Sequence, residues 1–389
     1  MTPNLQAGAL AALGASPAEV EELLAYNQNV FDLEALLTSK VRLPLPDEPF
    51  VAFWEAAERE ARTRGAFTVL REHLPQLRFP IQAGISETEG YRAATRRGAD
   101  VAAIPEATGL EMARPETIEI VIHPSAAGRI PLLIARGREE FVALIRALTR
   151  RNEPAPVPPA QGALMVAGYN NWSRVGELRR RWEARGPAAR ESATWGEEFQ
   201  RLQASPELYQ DRFILLSDGP YSAVPAADLG LGEAEWRALS LAIRRDHECA
   251  HYFTRRLFGS MRNNGLDELI ADYAGLVAAT GRFQAGWFLR FVGLEDFPRY
   301  RPGARLDLYR GKPPLSDGAF QVLQALVERA ARNLERFDAG RGHAGPGETA
   351  LTIAALASLR LEDLAADGAQ ERLTQAVAAV RQRFHASLS

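Results

Sequence analysis

Cysteine is nearly absent: Cys249 stands alone, so no intrachain disulfide can form and nothing points to an oxidising compartment. Lysine is almost as scarce. Lys40 and Lys312 are the only lysines among 46 basic residues, and the arginines that replace them are spread evenly instead of clustering as a phosphate-binding patch does. Against 49 acidic residues this leaves a formal net charge of −3 and a pI near 6.2, so nucleic acid is not an expected partner. Long apolar runs are missing too. ALTIAALASL, residues 350–359, reaches half of the ~20 residues a membrane-spanning helix needs. No Lys or Arg precedes Lys40, which argues against the basic leader of a secretory signal. These absences together lead to the expectation of a soluble cytoplasmic protein without a membrane partner.

What is present is an ordinary globular composition. The 389 residues are 46% hydrophobic and 24% charged, enough chain for two or three domains. Ser16-Pro17-Ala18-Glu19 reads as a capping box opening a helix, and FVAFWEAAEREARTRG (50–65) repeats at helical spacing. TIEIVIHP (117–124) alternates and is β-branched, so it reads as a strand that IPLLIARG (130–137) can join as a hairpin. REEFVALIRALTRR then predicts an amphipathic helix. NEPAPVPPA (152–160) carries four prolines, through which neither helix nor central strand can run. Beyond it, ALMVAGY (163–169) and RFILLSDG (212–219) are strand-like around a charged helical region. The second of these reads as a buried structural strand in preference to an edge for an extended peptide. Apolar stripes at Phe320, Leu323, Val327, Ala330 and Leu334, and at Leu373, Val377, Val380 and Phe384, mark core faces of helices. The expected fold class is α+β. Its parts are a mixed α/β N-terminal domain over 1–151, a Pro-rich linker over 152–160, a metal-binding catalytic domain over 161–282, and a helical C-terminal region over 283–389.

Histidine is rare as well, with six in the chain, yet two of them fall four positions apart in DHECAHYFTRRLFGSMRNNGLDELIADYAG (246–275). With histidine this scarce, the HExxH pattern arises by accident in roughly one such chain in a hundred. On a helix, residues four apart share a face, so His247 and His251 can turn both imidazoles to one point. Glu248 lies beside that point, where a carboxylate reaches a water instead of the metal. Cys249 faces the other way. No Pro or Gly interrupts Glu233–Phe258, and Gly259 stands where a C-cap is expected. Asn264 can cap a second helix on which Glu268 and Asp272 share a face. Packed beside the first, that helix supplies Glu268 as third ligand, with Asp272 accepting the far N–H of a liganding histidine.

His247-Glu248-Cys249-Ala250-His251, with Glu268 and Asp272 on the next helix, resembles the gluzincin group of zinc metallopeptidases, to which thermolysin and the HExxH aminopeptidases belong. The resemblance covers about thirty residues. The gap between His251 and Glu268 is shorter than in thermolysin-like enzymes, and no Gly-x-Met-Glu-Asn motif stands upstream. The likeness implies a zincin-like fold with a small sheet packed on the HExxH helix. It also implies one Zn²⁺ per chain on His247, His251 and Glu268, Glu248 as general base and Asp272 as the histidine's partner. His343, in GRGHAGPGET, stands in the chain order of the transition-state histidine of thermolysin-like enzymes. Tyr252 and Tyr300 are the other candidate donors to an oxyanion.

The chemistry expected is hydrolysis of a peptide or small amide by a water that Glu248 deprotonates beside the metal. Two histidines and a carboxylate also form the facial triad of Fe²⁺ oxygenases, and a non-catalytic protein can keep a metal as a structural staple. Glu248 favours hydrolysis over both.

Overall fold

The alternation in TIEIVIHP becomes β1, Ile118–His123, and the apolar run after it becomes β2, Ile130–Ala135, paired antiparallel as the hairpin expected. β3, Ala163–Asn170, and β4, Gln210–Ser217, complete one four-stranded mixed sheet of order β1-β2-β4-β3. β2 and β4 run parallel, and β3 runs antiparallel to β4 with a bulge between Ala167 and Tyr169. Gly168, at φ +72°, takes the left-handed conformation this bulge requires. In this computed structural model the described residues are 3–29, 31–33, 41–187, 190–192, 194–260, 264–341 and 345–384. Among them no helix is long and apolar enough to cross a membrane.

The chain divides into two compact units, one of Asp47–Pro124 with Gly128–Gly219, the other of Met1–Pro46, Ser125–Ala127 and Pro220–Ser389. The sheet belongs to the former. Leu133, Ala135, Phe213 and Leu215 point from one face of it into a core shared with Val51 and Trp54 of helix Val51–Arg64 and with Phe141, Leu144 and Ile145 of helix Arg138–Thr149. Leu132, Ile134, Ile214 and Leu216, on the other face, are buried as well, so the central strands read as continuous apolar runs and not as alternating ones.

One expectation needs correcting here. The Pro-rich run 152–160 does not separate compact units, because β2 pairs with β4 across it and the run lies inside the sheet-bearing unit. Proline lacks a donor but keeps its carbonyl acceptor. The Arg146 guanidinium donates to the Ala155 carbonyl at 2.9 Å and the Arg138 guanidinium to that of Pro158 at 2.7 Å, which fastens the run to helix Arg138–Thr149. β4 is the buried structural strand expected and not a peptide-binding edge, since β2 and β3 occupy both its sides.

The remaining unit is helical among its described residues. Helix Glu233–Phe258 runs unbroken to Gly259, whose left-handed φ of +65° ends it. Helix Gly265–Thr280 opens at Asn264, whose side chain accepts from the Asp267 N–H at 3.0 Å, and packs along the first. A Cβ added at Gly275 would lie 2.5 Å from the Ile243 carbonyl oxygen, so glycine sets how closely the two backbones approach. Both ladders are affected one turn from the histidine and carboxylate positions. Gly275→Ala is therefore expected to cost about 1–3 kcal/mol by overpacking, read as a lower thermal midpoint, and to loosen any ion held between the helices. An unchanged midpoint would mean that the pair is not in tight register there.

Helices Asp317–Ala339, Pro346–Ala357, Leu361–Ala365 and Ala369–Arg383 bury the stripes read from the sequence. Helix Pro17–Tyr26, opened by the capping box of Ser16 and Glu19, lies against Asp317–Ala339.

Candidate metal centre

Because Glu233–Phe258 is helical throughout, His247 and His251 stack one turn apart with ring centroids 4.7 Å from each other and planes at 83°. Their Nε2 atoms face each other at 3.1 Å. Glu268 enters from the second helix with one carboxylate oxygen 3.7 Å from each Nε2. A tetrahedral zinc site with bonds of ~2.0–2.1 Å has donor-to-donor edges of about 3.3 Å. The three side chains thus stand close to the edges such an ion needs. All three are buried, at 7%, 4% and 5% exposure.

The far sides of the rings decide what those Nε2 atoms can be. Nδ1 of His247 lies 2.8 Å from Oδ1 of Asp272, a pure acceptor, so the ring carries its proton on Nδ1. His251 turns Nδ1 toward Asp267 at 3.5 Å, within reach of an ion pair. Nε2 of His247 then presents a lone pair toward Nε2 of His251, with two carboxylate oxygens adjoining. Acceptors gathered around one buried point repel unless a proton or a metal cation stands among them. The electrostatics agree. Burial works against a charged His251, yet Asp267, Glu268 and Glu248 outweigh it and push its pKa up to about 10 when no other cation is near. The pocket therefore draws positive charge, whether proton or metal.

Around this core is a scaffold that no sequence motif announced. Asp272 is fully buried, and although burial favours its neutral form, Arg305 and His247 bring its pKa down to about 2. Arg305 pairs with Asp272 and donates to the Tyr221 hydroxyl at 2.9 Å and the Ser222 hydroxyl at 3.0 Å. Tyr221 donates to Asp272 Oδ1 at 2.5 Å and stands 2.9 Å from His247 Nδ1. Burial drives its phenol pKa well upward, so it remains a neutral donor. It is presented by a strained turn in which Ser222 and Ala223 have φ of +52° and +58°. Tyr309 donates to Glu268 Oε2 at 2.8 Å, and its own carbonyl accepts from the Tyr26 hydroxyl at 2.6 Å.

The other predicted residues fall as follows. Glu248 is half-buried on the same helix, with no hydrogen bond or ion pair among the described residues. Cys249 is buried and outside the cluster. Tyr252 is fully buried, and the Tyr300 hydroxyl donates to the Ala304 carbonyl at 3.4 Å. His343 lies outside the described residues. Asp267, Tyr221, Arg305 and Tyr309 were missed. Asp267 sits in the first turn of a capped helix, where a carboxylate is ordinary dipole chemistry, and the other three are single residues far along the chain with no spacing to mark them.

The family model for a family of unknown function, DUF7005, matches residues 8–368, a span that includes every one of these side chains. The chain belongs to the DUF7005 family. No curated protein and no solved structure matches this DUF7005 chain.

Proposed function

We propose that this DUF7005 protein is a zinc-dependent metallohydrolase that cleaves a peptide or small amide bond, built in the manner of a zincin around its HExxH helix and working in the cytoplasm. The observation that carries this reading is the convergence of two Nε2 atoms 3.1 Å apart, with Glu268 beside them and a carboxylate behind each ring. His247, His251 and Glu268 would hold the ion. Zinc bound there supplies a polarised carbonyl and a water made acidic enough to lose its proton near neutral pH.

The chain's own residues do the rest. Glu248, half-buried and without a described side-chain hydrogen bond or ion pair, would take the proton of the attacking water and pass it to the leaving amine. Asp272 holds the ring proton of His247 on Nδ1, which keeps that Nε2 available, and Asp267 faces Nδ1 of His251 at 3.5 Å. Tyr309 takes one lone pair of Glu268 and so limits how that carboxylate can turn.

The test is elemental analysis of protein purified without added metal, beside a His251→Ala variant. About one zinc per chain, lost in the variant, is the expected result. Stoichiometric iron would move the reading to oxygen chemistry. A protein that takes up no metal even when zinc is offered would leave a buried His–carboxylate network and no hydrolase.

A further inference from the structure

The sheet-bearing unit holds a cavity of about 280 Å³ that none of the foregoing uses. It is lined by Arg71, His73 and Arg78 on one side and by Trp172 and Ser173 on another. The acidic residues in its wall are already engaged. Glu72 pairs with Arg64, and the Asp100 carboxylate accepts from the Ala102 N–H at 3.0 Å. The arginines are held more loosely, Arg71 lying over the Phe67 ring with its guanidinium carbon 5.8 Å from the centroid. Nε of Arg71 and of Arg78 is buried without a hydrogen-bond partner, and neither guanidinium makes an ion pair or hydrogen bond among the described residues. Arg92, Arg190, Arg305 and Arg310 also have an unpartnered Nε, but each of them donates elsewhere through its terminal nitrogens. Two guanidinium groups left over at one cavity call for an acceptor that the chain itself does not provide.

The rest of the wall suits the same guest. Trp172 and Ser173 are the first two residues of helix Trp172–Ala184, so their N–H groups have no partner inside the helix and lie at its positive end. The Asn171 cap accepts from Arg174, further in. Burial holds the His73 pKa down, and its Nδ1 lies 3.0 Å from the Ser173 hydroxyl, a neutral pair that can donate or accept. Such a volume lies at the lower end of the ~300–1,000 Å³ usual for ligand sites, which limits the guest to a small molecule or the head of one.

We propose that this cavity binds a small oxyanion, a phosphate or carboxylate group, gripped by Arg71 and Arg78 over the start of helix Trp172–Ala184. The site is independent of the metal centre. Planar guanidinium forks match both oxyanions bidentately, so phosphate and carboxylate guests share this recognition and differ in charge and shape.

Isothermal titration of the full-length protein with inorganic phosphate and, separately, with succinate tests the proposal, with sodium chloride matched for ionic strength. The expected result is saturable binding of at least one of them, weakened about tenfold or more in both Arg71→Gln and Arg78→Gln. Neither variant removes a described hydrogen bond, and Arg71→Gln gives up only a guanidinium contact with the Phe67 ring, so both should remain folded with thermal midpoints near the parent's in the absence of ligand. Tighter phosphate binding would assign a phosphorylated guest, and tighter succinate binding a carboxylate one. If neither anion binds more strongly than chloride, or if binding survives both substitutions, the cavity is no oxyanion site.

Discussion

Glu248→Gln is expected to lower hydrolysis by about 10²–10⁴-fold while bound metal stays at the parental level. Glutamine keeps the length and shape of the side chain and removes only its basicity. Because no described hydrogen bond or ion pair engages Glu248, the change breaks nothing that holds the helix. A drop in turnover without a drop in metal therefore separates a general base from a fourth ligand. Mixed-sequence peptides digested with parent and variant, read by mass spectrometry beside elemental analysis, give both quantities. A variant that retains full turnover would take Glu248 out of the chemistry. One that loses metal along with activity would make it a ligand.

Arg305→Met is expected to have the largest effect on stability, about 3–5 kcal/mol. Asp272 is fully buried, and Arg305 is the cation that offsets it, so the variant leaves a carboxylate without a counter-charge in a site that already holds Glu268 and Asp267. The double variant Arg305→Met with Asp272→Asn removes both charges and should recover much of the loss. Urea unfolding of the parent, both single variants and the double variant measures the coupling directly. A loss below about 1 kcal/mol in Arg305→Met would mean that the pair behaves as an exposed one. Asp272→Asn alone should weaken zinc binding about 10–100-fold, since the ring proton of His247 is then no longer held on Nδ1 by a charge.

The parts of the molecule that were legible beforehand are those in which a single helix or hairpin carries its own pattern. Helix Glu233–Phe258 shows its interior by lacking Pro and Gly and its end by Gly259. His247 and His251 share a face simply because the helix repeats, and Asn264 announces the start of the helix that brings Glu268. Partners chosen by tertiary packing left no such trace. Tyr221 and Arg305 meet Asp272 from 51 and 33 positions away, one upstream and one downstream, and only the folded chain joins them. The Pro-rich run misled for a different reason. Missing donors were taken as a sign of an unattached segment, whereas its carbonyls are fastened by Arg138 and Arg146. In the same way β2 and β4 are neighbours in the sheet despite the long stretch of chain between them, and no local pattern can report that.

The helical unit is discontinuous in sequence, and this governs the order in which a growing chain can complete it. Tyr26 bonds to Tyr309 across 283 positions, Glu22 to Ser316 across 294, and Asn27 to Glu362 across 335. At a synthesis rate of ~5–20 residues per second, the first helices wait on the order of 15–60 s for the partners that bury them. The sheet-bearing unit, whose last residue is Gly219, can be finished within that interval. His247 and His251 leave the ribosome after it, Glu268 follows them, and Arg305 and Tyr309 follow Glu268. Capture of an ion at the proposed centre would thus be a late event in biogenesis, and a chain stalled before residue 305 would carry His247, His251 and Glu268 without the arginine and tyrosine of the network around them.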